Sequence, residues 1–121
     1  MKTISLNGIK QIDNLKYVTT SDDPQIVFEE KKKKGFYLFR YRISFKNAIY
    51  GAYSQIFWDP YKNFNQDNSI KVNNRLNDYQ WIPVLLDEDS FIRFDPVSSE
   101  NAEIELIYSL KEINEVSFNI F

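Results

Sequence analysis

Residues 59–74, reading DPYKNFNQDNSIKVNN, concentrate oxygen ligands at Asp59, Asn63, Asn65, Asp67 and Asn68. Asn63, Asn65 and Asp67 have the alternate spacing that opens a calcium loop, but Asn68 stands where such a loop needs glycine, and Asn74 where it needs a bidentate glutamate. An EF-hand is therefore rejected, and a less regular structural calcium site is the only ion chemistry left to the segment. No cofactor and no other metal is expected. Aromatic residues flank the same oxygen donors. A sugar presents an apolar C–H face and a rim of hydroxyls, so a glycan site needs an aromatic platform beside amide and carboxylate groups. Trp58, Tyr61 and Tyr53 with Asn63, Asn65 and Asp67 have those types, and they are the candidate ligand-binding set. The same residues would also serve as the rim of a core with a capped turn.

Catalytic chemistry finds little support. Asp87, Glu88 and Asp89 cluster, and Asp95 or Glu103 could join them in the paired-carboxylate arrangement of a glycosidase. An acidic triplet between strands is more simply a solvated turn, and no catalytic residue is assigned. The 121 residues contain no histidine and no cysteine, which excludes Ser-His-Asp and Cys-His nucleophiles, the usual zinc ligand sets and disulfides. Three scattered glycines, Gly8, Gly35 and Gly51, form neither a Walker nor a dinucleotide loop.

Charge and hydropathy narrow the partners. A net charge of −2 gives no field to gather nucleic acid, and the lysine run 31–34 follows two glutamates and suits a solvated hairpin tip or a guarded strand edge. The first residues lack the apolar core of a signal peptide, and the longest apolar run, residues 81–86, is far short of the ~20 residues that span a bilayer. A cytoplasmic chain without membrane insertion is expected. Size scaling gives a folded surface of roughly 6,800 Å² against roughly 21,000 Å² unfolded, enough burial for one domain over residues 1–121.

These groups must be held by strands. Tyr37, Phe39, Tyr41, Ile43 and Phe45 share one face of residues 35–45, and Leu38, Arg40, Arg42 and Ser44 share the other. Residues 48–58 carry apolar side chains on both faces, as a central strand does. Further strands are expected at 2–6, 15–19, 25–29, 69–73, 79–85 and 90–95, with a last one through Val116, Phe118 and Ile120. Residues 102–113 are read as a strand, since Ile104, Leu106, Tyr108 and Leu110 alternate, although Ile104, Ile107 and Tyr108 would also fit a helix. Most of Phe36, Tyr37, Phe39, Tyr41, Phe45, Phe91, Phe94 and Phe118 should fill the core. Eight or nine short strands with turn signals between them predict an all-β, antiparallel two-sheet sandwich, jelly-roll-like.

Four short motifs then follow in order: Asp23-Pro24-Gln25, Gly35-Phe36-Tyr37-Leu38, Asp67-Asn68-Ser69-Ile70 and Ile92-Arg93-Phe94-Asp95-Pro96. Their order and intervals resemble a β-sandwich domain found in front of bacterial glycosyltransferases and in rhamnan-synthesis-type proteins that build cell-surface polysaccharide. The resemblance spans residues 22–110. It departs from the family at Phe36, where tryptophan is usual, and in the turn 97–101, which has no glycine, although Asn101 can adopt the left-handed conformation that turn needs. It implies a strand over 102–110, an architecture like that of carbohydrate-binding modules, and a structural role for Asp23, Pro24, Gln25, Gly35, Tyr37, Arg93, Asp95 and Pro96. The implied function is a non-catalytic accessory domain whose partners are glycan or a glycosyltransferase catalytic domain. The alternative is a protein-interaction module that docks onto a catalytic partner through the sheet face bearing Arg40, Arg42 and Ser44.

Overall fold

The computed structural model describes residues 4–45, 53–75 and 77–113. Ten strands lie among them: β1 (Ile4–Asn7), β2 (Ile9–Gln11), β3 (Lys16–Thr19), β4 (Gln25–Lys32), β5 (Gly35–Phe45), β6 (Tyr53–Asp59), β7 (Ser69–Asn73), β8 (Gln80–Leu86), β9 (Ser90–Asp95) and β10 (Glu103–Ile113). A single 3-10 turn, Gln66–Asn68, precedes β7. The protein is an antiparallel β-sandwich whose described residues form two five-stranded sheets, ordered β1-β4-β9-β6-β7 and β2-β3-β10-β5-β8. No helix among the described residues is long and apolar enough to cross a membrane.

Period-two patterning explains the layers. Along β5, Tyr37, Phe39, Tyr41 and Ile43 are buried, while the residues between them are only half-buried. In the facing sheet, Ile26 and Phe28 of β4, Ile56 of β6, and Ile92 and Phe94 of β9 point inward to meet them. The centre is aromatic. Phe94 lies 4.6 Å from Phe39 and 5.1 Å from Tyr41, ring centre to ring centre, both in tilted geometry. Tyr108 stacks on Phe39 and meets Phe28 edge-on, and burial pushes its hydroxyl up to about 12. Phe36 and Phe45 are half-buried, and Phe91 faces outward beneath the ammonium groups of Lys31 and Lys62. Phe118, with the expected last strand, lies outside the described residues, as do residues 48–52 of the expected central strand.

Two local features correct the sequence expectations, and a third agrees with the strand expected over 102–113. The expected strand at 2–6 is β1, but a short strand that the sequence did not suggest, β2, follows it in the other sheet, because Gly8, at φ 69°, turns the chain from β1 across to β2. The lysine run does not tip a hairpin, since β4 and β5 belong to opposite sheets and the turn between them is a corner, with the Lys34 amide donating to Asp89. Residues 103–113 form one long strand flanked by β3 and β5, so the alternation of Ile104, Leu106 and Tyr108 prevails over helical spacing. Asn101 does adopt the left-handed conformation, φ 58°. Buried Thr19 ties that corner down, its hydroxyl donating to the Ser99 carbonyl and accepting from the Ala102 amide.

Candidate functional site

On β6 the even positions Ser54 and Ile56 turn into the sandwich, so Tyr53, Gln55, Phe57 and Asp59 stand on the outer face. Register with β9 sets Asp95 beside Gln55 and Arg93 beside Phe57, while β7 sets Lys71 beside Gln55 on the other side. The result is a cleft of about 200 Å³ walled by Tyr53, Gln55, Phe57, Gln66, Arg93 and Asp95, with Asp22 and Asp23 at its mouth.

Its polar groups are held by more than one partner. Arg93 donates from Nε to Asp95 Oδ1 at 2.8 Å and from Nη2 to Asp95 Oδ2 at 2.6 Å, and Nη2 lies 3.5 Å from Asp23 Oδ1. The guanidinium also lies 4.2 Å over the Phe57 ring. Burial pushes the Asp95 carboxyl up to about 6, against the pull of Arg93. Burial works against the charge of Arg93, but its hydrogen bonds and attraction to Asp95 prevail and hold its pKa raised. Gln55 is only 4% exposed, and its amide donates to Gln66 Oε1 at 2.8 Å and Ser69 Oγ at 3.0 Å. Tyr53 is half-buried, with the Lys71 ammonium 3.9 Å from its ring centre. The lining of the cleft is thus mainly polar, a fixed amide and a fixed ion pair, with Tyr53 at its wall and Phe57 buried beneath the Arg93 guanidinium.

The six sequence candidates do not share one place. Tyr53 alone among them walls the cleft. Trp58, on the opposite face of β6 from Tyr53, packs against the core. Tyr61 is 85% exposed beyond the end of β6, with Lys31 5.5 Å from its ring centre. Asn63, Asn65 and Asp67 are exposed and build the turn: Asp59 Oδ2 accepts from the amides of Tyr61 and Asn63, and Asn65 Oδ1 accepts from the Asp67 amide. Of the oxygens that resembled calcium ligands, Asp59 Oδ2 and Asn65 Oδ1 are thus taken by backbone amides of the same turn. No group of three carboxylates that could hold a metal comes together among the described residues.

Of the motif residues expected to hold the fold, Asp23, Gln25, Arg93 and Asp95 are brought together, whereas Gly35 and Tyr37 lie on β5 in the opposite sheet, the Tyr37 hydroxyl donating to the Lys33 carbonyl. Asp23 reaches Arg93, Gln25 Nε2 donates to Asp23 Oδ2 at 2.8 Å, and the carbonyl of buried Pro96 accepts from Ser54 and Asn74. Arg93, Asp95 and Asp23 therefore border the cleft as well as tie the sheet. Gln55, Phe57 and Gln66 were not among the candidates. Their signal was the outward parity of Tyr53, Gln55 and Phe57, which becomes a site only once β9 is known to lie alongside. A larger hollow of about 410 Å³ opens beside Ile12, Tyr17 and Phe45. Its buried polar wall, Tyr17, is already engaged by Tyr108.

No family model matches the chain. No curated protein matches it either. Among solved structures it is similar to TmCBM61 in complex with β-1,4-galactotriose, with 8% sequence identity and a TM-score of 0.48, covering 93% of this chain and 88% of that one.

Proposed function

We propose that the protein is a non-catalytic glycan-binding module, an accessory to a bacterial glycosyltransferase or another polysaccharide-assembly protein, and that the β6–β9 cleft is its sugar site. The observation that carries this reading is the pairing of Tyr53 and Phe57 with a buried amide and a buried ion pair on one open sheet face. At about 200 Å³ the cleft is smaller than the ~300–1,000 Å³ of pockets that engulf a ligand. It suits one unit of a longer chain lying across the sheet. The ligand unit is uncharged, because the guanidinium of Arg93 is already committed to Asp95 and Asp23 and the carboxylates at the mouth would repel an acid.

In this role a sugar ring stacks on Tyr53 while its hydroxyls exchange hydrogen bonds with Gln55, Gln66 and the free lone pairs of Asp95. Affinity gel electrophoresis through neutral and acidic polysaccharides tests the reading. Retardation by a neutral polysaccharide, lost in Tyr53→Ala, supports it. Unchanged migration in every neutral gel contradicts it.

A further inference from the structure

The opposite sheet carries a second, chemically different surface. On the outer face of β5 and β8, Arg40 lies across from Trp81 in the register, and Tyr79 precedes β8 on the same side. Trp81 is 54% exposed and Tyr79 41% exposed. The Arg40 guanidinium sits 4.3 Å from the Tyr79 ring centre and 5.4 Å from that of Trp81, and Arg42 sits 5.3 Å from Tyr79. Two guanidiniums are thus laid against two exposed rings, two residues apart on one strand, or about 7 Å.

Among the described residues neither guanidinium is paired with an acid. Arg93 is clasped by two carboxylates, but Arg40 and Arg42 make no ion pair or side-chain hydrogen bond among the described residues. Across β10 their neighbours are Ser109 and Ile107, with Lys111 one step further. The acids in the neighbourhood are Glu105, opposite Ser44 at the end of the face, and exposed Asp78 in the turn before Tyr79. Stacking against the rings holds each fork in place, while its N–H groups are left for an external acceptor.

We infer that the Tyr79–Trp81–Arg40–Arg42 surface binds a carboxylate-bearing saccharide, its ring faces stacking on Trp81 and Tyr79 and its acid groups taken by Arg40 and Arg42. Charge complementarity selects the acid, and the exposed rings select a ligand with apolar faces. An extended peptide fits less well. β8 is an edge strand, but Pro83 at its centre has no N–H to offer an added strand. This surface is separate from the β6–β9 cleft and does not depend on the assignment made there.

The test is an NMR titration of the uniformly labelled chain with trigalacturonate, and with neutral galactotriose as its uncharged counterpart. The expected result is shifts at Arg40, Arg42, Tyr79 and Trp81 with trigalacturonate, weakened at least tenfold in Trp81→Ala and in Arg40→Gln/Arg42→Gln, and weakened by added salt. These side chains are exposed or half-exposed, and a melting curve shows that the variants remain folded. The inference is overturned by no shift at millimolar trigalacturonate, or by equal shifts at these residues with galactotriose. Concentration-dependent dimerisation abolished by Trp81→Ala, with trigalacturonate failing to compete, also overturns it, since the surface would then serve a second copy of the chain. Shifts by either sugar at Tyr53 and Gln55 bear on the cleft alone.

Discussion

Arg93 and Asp95, two residues apart on β9, point to the same outer face and close a bidentate ion pair with bonds of 2.8 and 2.6 Å. Both side chains are largely buried, at 14% and 11% exposure. Alternation along a strand makes the pairing possible, and strand β6 beside them, with Phe57 under the guanidinium, keeps water away. One pair thereby fastens the sheet and forms the floor of the cleft.

Removing Asp95 leaves Arg93 charged, largely buried and held only by Asp23 at 3.5 Å. Asp95→Ala should therefore destabilise the protein by about 3 kcal/mol, whereas Arg93→Met/Asp95→Leu should lie close to wild type. Urea unfolding of the three proteins checks this. A double variant as unstable as the single one would show that the ion pair has a further role in the fold.

Asp95 also makes stability depend on pH. The folded state holds its proton up to about pH 6, above the ordinary carboxylate range near pH 4, so between those values the folded state binds more protons than the unfolded chain. The contribution is complete below about pH 4 and is lost as pH rises to about 6, up to ~3 kcal/mol. Glu29, whose carboxyl is held low first by Lys62 and then by Ser5, acts in the opposite sense at lower pH. Melting temperature against pH for wild type and Asp95→Asn isolates the first effect: the difference between the two curves should change between pH 4 and 6. Parallel curves would contradict the assignment.

The aromatic residues divide by position. Phe94→Ala opens a cavity at the meeting of the two sheets and should cost about 3–5 kcal/mol. Tyr61→Ala, at a residue 85% exposed, should change stability by no more than about 0.5 kcal/mol. Thermal and denaturant unfolding of both variants measures the contrast.

Gly8 should not tolerate a side chain. Its φ is 69°, and an added Cβ would lie 2.2 Å from Ser21 Oγ and 3.1 Å from the Asp23 carbonyl oxygen. The turn joins the two sheets, so Gly8→Ala should cost ~1–3 kcal/mol. A melting temperature equal to wild type would show that the crossing can relax.

The layers were legible because one face of each strand is buried. The alternation survives into the structure from Tyr37 to Ile43 of β5, from Ser90 to Phe94 of β9 and from Glu103 to Leu106 of β10. The crossing at Gly8 was not legible, since alternation is blind to which sheet a strand joins. The same blindness hid the cleft. Trp58, Tyr61 and the asparagines are neighbours in sequence, but strand parity sends Trp58 inward and turn geometry occupies the asparagines. Gln55 and Asp95 are forty residues apart in the chain and meet only through the β6–β9 register. The motifs around Asp23 and Arg93 were read as structural, and their position shows why one set of residues can both tie the sheet and line its cleft.

The most direct test of the central claim is a ¹H–¹⁵N titration of the wild-type chain with neutral oligosaccharides, backed by Tyr53→Ala. The account predicts shifts concentrated at Tyr53, Gln55, Phe57, Gln66 and Arg93, with affinity lowered at least tenfold in the variant while its melting temperature is unchanged. Absence of shifts at these residues up to millimolar neutral sugar, or binding untouched by Tyr53→Ala, would contradict it.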